Sequence, residues 1–165
     1  MEAIKVKIVD GAYENFDAVE KTINYAFRFG DMQLVGGLGV VLTNADDIAE
    51  QFHVIKRVYS KTTGKQVVHI VFSVDRGTFL RTEHVKKLGY LLAGYFGKER
   101  QVVFGVHTDT TNLHIHMIIN TVAYTNGAYC GYYDIGQLNR YAWVCMRKIM
   151  DEVWFDKTID LLVLG

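Results

Sequence analysis

The sequence predicts an α+β fold, a largely antiparallel β-sheet with α-helices packed on it. Three observations carry that expectation. Apolar residues at helical spacing alternate along the chain with stretches of period two. Neighbouring strand-like stretches are joined by hairpin-length connections, Asp109–Asn112 and the Asn126–Gly127 turn. Half of the 165 residues are apolar, including ten Tyr and nine Phe, enough to fill a core without a staple.

The elements follow in order. Ile4–Val9 (IKVKIV) alternates as a strand. Asp17 and Glu20 make a capping box for a helix that carries Phe16, Val19, Ile23 and Phe27 on one stripe and runs to about Phe29. Met32–Thr43 is Gly-rich and reads as irregular. Asn44 caps a second helix bearing Ile48, Phe52, Ile55 and Tyr59. A turn at Thr62–Lys65 leads to the strand Val67–Val74, and a third helix runs from near Thr82 to Gly97. Gln101–Thr108 and Leu113–Val122 read as strands, and Asn126–Gly127 as a hairpin toward a short strand at Tyr129–Tyr133. Asp134 caps a long last helix with Leu138, Tyr141, Cys145 and Ile149 on one stripe. Proline is absent, so helix ends rest on Asp, Asn, Thr and Gly.

Residues 1–165 are expected to form a single domain. No basic leader and no apolar run of about 18 residues is present, which predicts a soluble, cytoplasmic protein. Cys130 and Cys145 lack CxxC spacing and read as free core thiols. Net charge is zero but unevenly placed, with +7 over residues 53–100 between flanks of −5 and −2. Lys56, Arg57, Lys61 and Lys65 in that segment either solvate surface helices or follow a phosphate backbone.

The stretch HTDTTNLHIHMIIN, His107–Asn120, places three of the six histidines within ten residues. Strand side chains alternate faces, so His114, His116 and Ile118 share one side, and His107 shares a side with Gly105. A four-residue loop sets His107 opposite His114 and His116 opposite Gly105. The expectation is three imidazoles converging above the sheet, with room for further ligands, as in a catalytic metal site. Asp109 stands where it could accept a ring N–H and fix a tautomer. The plainer reading is three histidines with local partners.

Here the pattern His-x-Asp-x-x-Asn-x-His-x-His, closed by apolar residues and Asn120, resembles the metal motif of MobA/VirD2-type relaxases, members of the HUH endonucleases. VVHIVFSV is similar to that family's second motif, a strand with a His (His69) and, four residues on, a Ser (Ser73). A helix, then QVVFGVHTD, then the three-His motif is the family's order, and the likeness extends from Ile4 to Ile149. It implies an HUH relaxase-like fold and metal-dependent, strand-specific nicking of DNA at a transfer origin. A tyrosine attacks the scissile phosphate, is joined to the 5′ end and releases a 3′-hydroxyl.

By the same resemblance, His107, His114 and His116 hold Mn²⁺ or Mg²⁺, with Zn²⁺ another ion imidazoles accept. The implied partners are single-stranded DNA at a transfer origin and accessory mobilisation proteins, with no membrane. His69 and Ser73 border the site. Asn112 and Asn120 brace the motif or close its turn and strand, and Lys56 and Arg57 are candidate phosphate contacts. The implied nucleophile is Tyr25, in AVEKTINYAF. On a helix it lies about 180° from the apolar stripe, so packing does not require it. Tyr13 is the reserve candidate. A free phenol is a weak nucleophile at neutral pH, and a cation on the same phosphate would favour the phenolate.

The sequence departs from the family where an Asn-Pro-x-Lys-Thr-like turn commonly follows the tyrosine; here it reads AFRFGDM. The large C-terminal region of many relaxases is also missing, which suggests a minimal relaxase or the N-terminal part of a longer protein. Three other readings share these residues: a relaxase-like module that binds DNA without nicking it, an HUH replication or transposition nuclease, and a phosphoesterase that uses metal-bound water.

Overall fold

A computed structural model describes residues 3–78 and 80–164. The order is β1 (Ile4–Ile8), α1 (Ala18–Ala26), β2 (Val35–Leu38), α2 (Ala45–Val58), β3 (Val67–Val74), α3 (Thr82–Ala93), β4 (Val102–His107), β5 (Leu113–Asn120) and α4 (Ile135–Leu164). The five strands form one sheet in the order β1-β3-β5-β4-β2, every neighbouring pair antiparallel. This is the α+β architecture the sequence predicts.

Strand alternation divides the sheet into two faces. Val68, Ile70, Phe72, Phe104, Ile115 and Met117 point to the side covered by α3 and α4, in a core with Leu88, Leu92, Ala142 and Ile149. Each such side chain contributes roughly 1.5–3 kcal/mol on burial. Val67, Val103 and Ile118 point to the other side, where Val19 and Ile23 of α1 and Ile48 and Phe52 of α2 cover them. Further along this second face the apolar residues give way to His69, His107, His114 and His116.

Several boundaries differ from the sequence reading, each for a local reason. The Gly-rich stretch contains the edge strand β2. Its VGGL lacks alternation because Gly36 lies under the rings of Phe104 and Tyr90, which leave no room for a β-carbon. Asp17 makes no side-chain cap. Its carboxylate pairs with Lys21, and that of Glu20 bonds His53. Helix α1 ends at Ala26, before Phe29, and the chain reverses through Gly30 at φ +64°. The Asn126–Gly127 turn forms, with Gly127 at φ +71°, but Tyr129–Tyr133 makes only a bridge from Tyr129 to Val122. After Cys130 bonds the Thr121 carbonyl, the chain leaves to reach Asp134, which caps α4 through the Gln137 N–H. Both cysteines are free thiols; Cys145 is in the core, but Cys130 is only half-buried. No helix among the described residues is long and apolar enough to cross a membrane.

Lys56 is neither a solvated residue nor a phosphate contact. It is 1% exposed beneath α2. Its Nζ donates to the Gln66 carbonyl (2.7 Å), Asn120 Oδ1 (2.7 Å) and Thr121 Oγ1 (3.2 Å), one acceptor for each N–H. Burial pushes its pKa down to about 7. The folded value lies below the unfolded one, so the unfolded chain binds more protons between about pH 7 and 10. The stability of the wild type relative to Lys56→Met should therefore rise across that window, by up to roughly 1.4 kcal/mol per pH unit. Urea melts of both proteins at pH 7, 8.5 and 10 measure it; a flat difference would refute it.

Candidate active site

Gly105 decides where α1 ends. A β-carbon at this position of β4 would fall on the Ala26 carbonyl, so only glycine lets the C-terminal turn of α1 rest against the sheet. Gly105→Ala is expected to lift that turn and destabilise the protein by about 1–3 kcal/mol, the usual cost of overpacking, read from a denaturant titration.

With the helix seated, His107 Nε2 lies 3.0 Å from the Tyr25 carbonyl and 3.1 Å from that of Ala26. Carbonyls only accept, so the proton of His107 sits on Nε2 and its lone pair on Nδ1. The strand register is the one the loop length implied: His107 faces His114, Gly105 faces His116, and in β3 Ser73 faces His114 and Val71 faces His116. The rings of His107 and His116 lie 3.9 Å apart, and those of His114 and His116 6.2 Å. His69 reaches across from β3, its Nε2 2.9 Å from His116 Nδ1. Its other nitrogen is 3.3 Å from the Tyr13 hydroxyl.

Tyr25, 43% exposed, stands over this cluster. Its ring centroid is 5.2 Å from those of His107 and His116 and 6.2 Å from that of His69, all edge-on. The Arg28 guanidinium covers its other side, 4.9 Å from the ring centroid, and lies equally close to Phe29. Tyr13, Tyr25, His69, Ser73, His114 and His116 line a cleft of about 800 Å³, together with Lys5 and Lys7 of β1 and Lys21 of α1.

The electrostatics favour neutral imidazoles. Burial, with His107, His69, His114 and Arg28 nearby, pushes His116 down to about 3. Burial and His107 push His69 to about 4. Burial also lowers His107, against the pull of its carbonyl partners. Neutral rings keep lone pairs for a cation, so the donor chemistry suits a divalent ion. The spacing is looser than a formed site. Among the described residues, the trio whose ligand atoms all lie within 4.8 Å of one another is Glu83, His84 and Asp156, on the opposite face. There His84 Nδ1 accepts the Arg81 N–H and Nε2 bonds Asp156, while Arg81 pairs with Glu83 and Asp160. Both nitrogens are occupied and a guanidinium supplies the positive charge, so this trio works as a cap and clamp between α3 and α4.

The remaining sequence candidates fall in different places. Asp109 bonds Arg28 at 2.8 Å rather than an imidazole; the carbonyls of α1 fix the His107 tautomer instead. Asn112 closes the loop, its carbonyl accepting from Thr110. Asn120 is buried, bonded to Lys56, Gln101 and the Phe52 carbonyl, away from the cleft. Arg57 pairs with Glu50. In the positive middle segment, Lys61, Arg76 and Arg100 donate to carbonyls, and Arg81 and Lys87 pair with carboxylates of α4. The cations at the cleft come from the acidic N-terminal third. Sequence reasoning missed Arg28 and Arg76. The first follows Tyr25 by three residues, one helical turn. The second holds the loop of Asp109 through the Thr108 and Thr110 carbonyls and left no local signal.

The family model "Relaxase: MobA/VirD2-like, nuclease domain" matches residues 28–153, well over half of the chain. The chain belongs to this family. The relaxase match takes in all four clustered histidines, Arg28 and Asp109, and begins three residues after Tyr25. The placement of Tyr25 in this relaxase domain therefore rests on its own geometry. No curated protein matches the chain.

Proposed function

We propose that this relaxase domain nicks single-stranded DNA at a transfer origin by transesterification through Tyr25. The observation that carries this reading is the Tyr25 ring, half exposed in the cleft and 5.2 Å from both His107 and His116. The Tyr25 oxygen attacks the scissile phosphorus and loses its proton. The bond to the 3′ oxygen breaks, and that oxygen takes a proton as it leaves. The 5′ phosphate stays joined to Tyr25, and the reverse step reseals the strand.

His107, His114 and His116 would hold the divalent cation, Mn²⁺, Mg²⁺ or Zn²⁺. When bound, it supplies Lewis-acid polarisation of the phosphate. The chain's own groups supply the rest. Lys5 and Lys7 favour the backbone of a single strand in the cleft, and Lys21 can join them by exchanging its Asp17 partner for a phosphate. Arg28 packs on the Tyr25 ring and places a positive charge beside the attacked phosphate. Asp109 orients Arg28. Accessory mobilisation proteins complete the expected partner set.

The test is incubation with a labelled pool of single-stranded oligonucleotides and Mn²⁺, followed by denaturing electrophoresis and peptide mapping. An adduct on Tyr25 is the expected result. Tight binding without an adduct would make the chain a DNA-gripping module. Cleavage without an adduct would make it a phosphoesterase using water. The sequence of the nicked site separates a transfer relaxase from a replication or transposition nuclease.

A further inference from the structure

Behind the histidine cluster stands a residue held in an uncommon backbone conformation. Tyr13 has φ +44°, one of two non-glycine residues in the left-handed region among those described. That conformation costs an ordinary side chain about 1–2 kcal/mol. The Tyr13 carbonyl accepts the Gln66 N–H at 2.8 Å. Its ring lies flat against Gly11, where a β-carbon would sit 2.7 Å from it. So held, the Tyr13 hydroxyl ends a chain that continues through His69 Nδ1 (3.3 Å) and His69 Nε2 to His116 Nδ1 (2.9 Å).

A neutral imidazole carries one N–H, so only two proton arrangements satisfy this chain. In the first, the phenol donates to His69 Nδ1, His69 donates from Nε2 to His116 Nδ1, and His116 keeps its proton on the outer Nε2. In the second, His116 donates from Nδ1 to His69 Nε2, and His69 donates from Nδ1 to the phenol oxygen. His116 Nε2 then carries a lone pair.

We propose that Tyr13 is the accepting end of this chain, a positioning residue that acts through His69 to hold His116 in its Nδ1–H tautomer with Nε2 open to a divalent cation. The assignment rests on the reading of His116 as a metal ligand given above. One observation, one general rule and the protonation of the phenol support it. On the other side of the cluster, the carbonyls of Tyr25 and Ala26 fix the His107 tautomer in the same manner, leaving one nitrogen free. Ligand histidines generally have their second nitrogen tied to the protein, and such outer partners change metal affinity 10–100-fold. Burial and the nearby Tyr25 raise the Tyr13 phenol, so it stays protonated and can turn its own hydrogen to the cleft while its oxygen accepts.

The test needs no DNA. Long-range ¹H–¹⁵N spectra of histidine-labelled, metal-free protein report each ring's tautomer. Wild-type His116 should be Nδ1–H, and Tyr13→Phe should move it toward Nε2–H. Calorimetric titration should show Mn²⁺ binding roughly tenfold weaker in Tyr13→Phe. The melting temperature should fall by no more than about ten degrees, the cost of one His69 nitrogen left without a partner, because the ring and its backbone strain are retained. A wild-type His116 protonated on Nε2 overturns the proposal by itself. So does equal Mn²⁺ affinity in the two proteins. A wild type that shows both expected readouts but yields no DNA adduct would instead sink the nicking reading and leave this assignment in place.

Discussion

Replacing Tyr25 with Phe is expected to abolish the covalent protein–DNA adduct while leaving single-strand affinity within about threefold of wild type. Phenylalanine keeps the ring that packs edge-on against His69, His107 and His116, and keeps the face on which Arg28 stacks. Only the attacking oxygen is lost. Loss of a covalent nucleophile costs on the order of 10⁴-fold or more in turnover, far beyond what a packing change produces. Denaturing gels quantify the adduct, and fluorescence anisotropy with the same oligonucleotide measures affinity. Strand cleavage that persists in the variant at more than a few per cent of the wild-type rate would show that water or another side chain is the nucleophile. Tyr13 would then be the first candidate, since it lines the same cleft.

His116→Ala should be nearly as severe. His116 is the hub of the cluster, in ring contact with His107, His114, His69 and Tyr25. Its removal is expected to weaken Mn²⁺ binding by roughly 100-fold or more, at least the upper end of the loss for an outer partner, and nicking should fall in parallel. His69 Nε2 would lose its partner, at a cost of about 1–3 kcal/mol if left unpaired, so a thermal melt must show that the variant is folded. His84→Ala is the control. If Mn²⁺ binding survives in His116→Ala and disappears in His84→Ala, the metal belongs to the Glu83–His84–Asp156 trio and the centre assigned here is wrong.

What the sequence disclosed follows physical range. Short apolar runs at residues 67–74 and 113–120 gave both strands, and the alternation of strand side chains gave their faces, because both signals are local. The four-residue loop then set the register of His107 against His114 without any further information. β2 was hidden because its Gly36 answers to the aromatic rings of Tyr90 and Phe104, more than fifty residues away. The convergence of the histidines was only half legible. Alternation fixes which face a side chain takes, while ring rotation depends on partners from other elements, here the carbonyls of α1 and the His69 ring of β3. The same holds for Asp109, which sequence proximity offered to a histidine and the fold gave to Arg28. Charge was the weakest guide, since a run of cations says nothing about the carboxylates that fold back onto it.

The position of β1 gives Lys5 and Lys7 a second duty. The strand closes one margin of the sheet, and among the described residues its strand partner is β3 alone. A margin of this kind recruits like strands from other molecules, and lysines spaced two apart are a common deterrent. Exchanging both for threonine would remove that deterrent and improve strand propensity together. Self-association would follow, and a fall in DNA affinity in such a variant would report lost solubility as much as lost phosphate contacts.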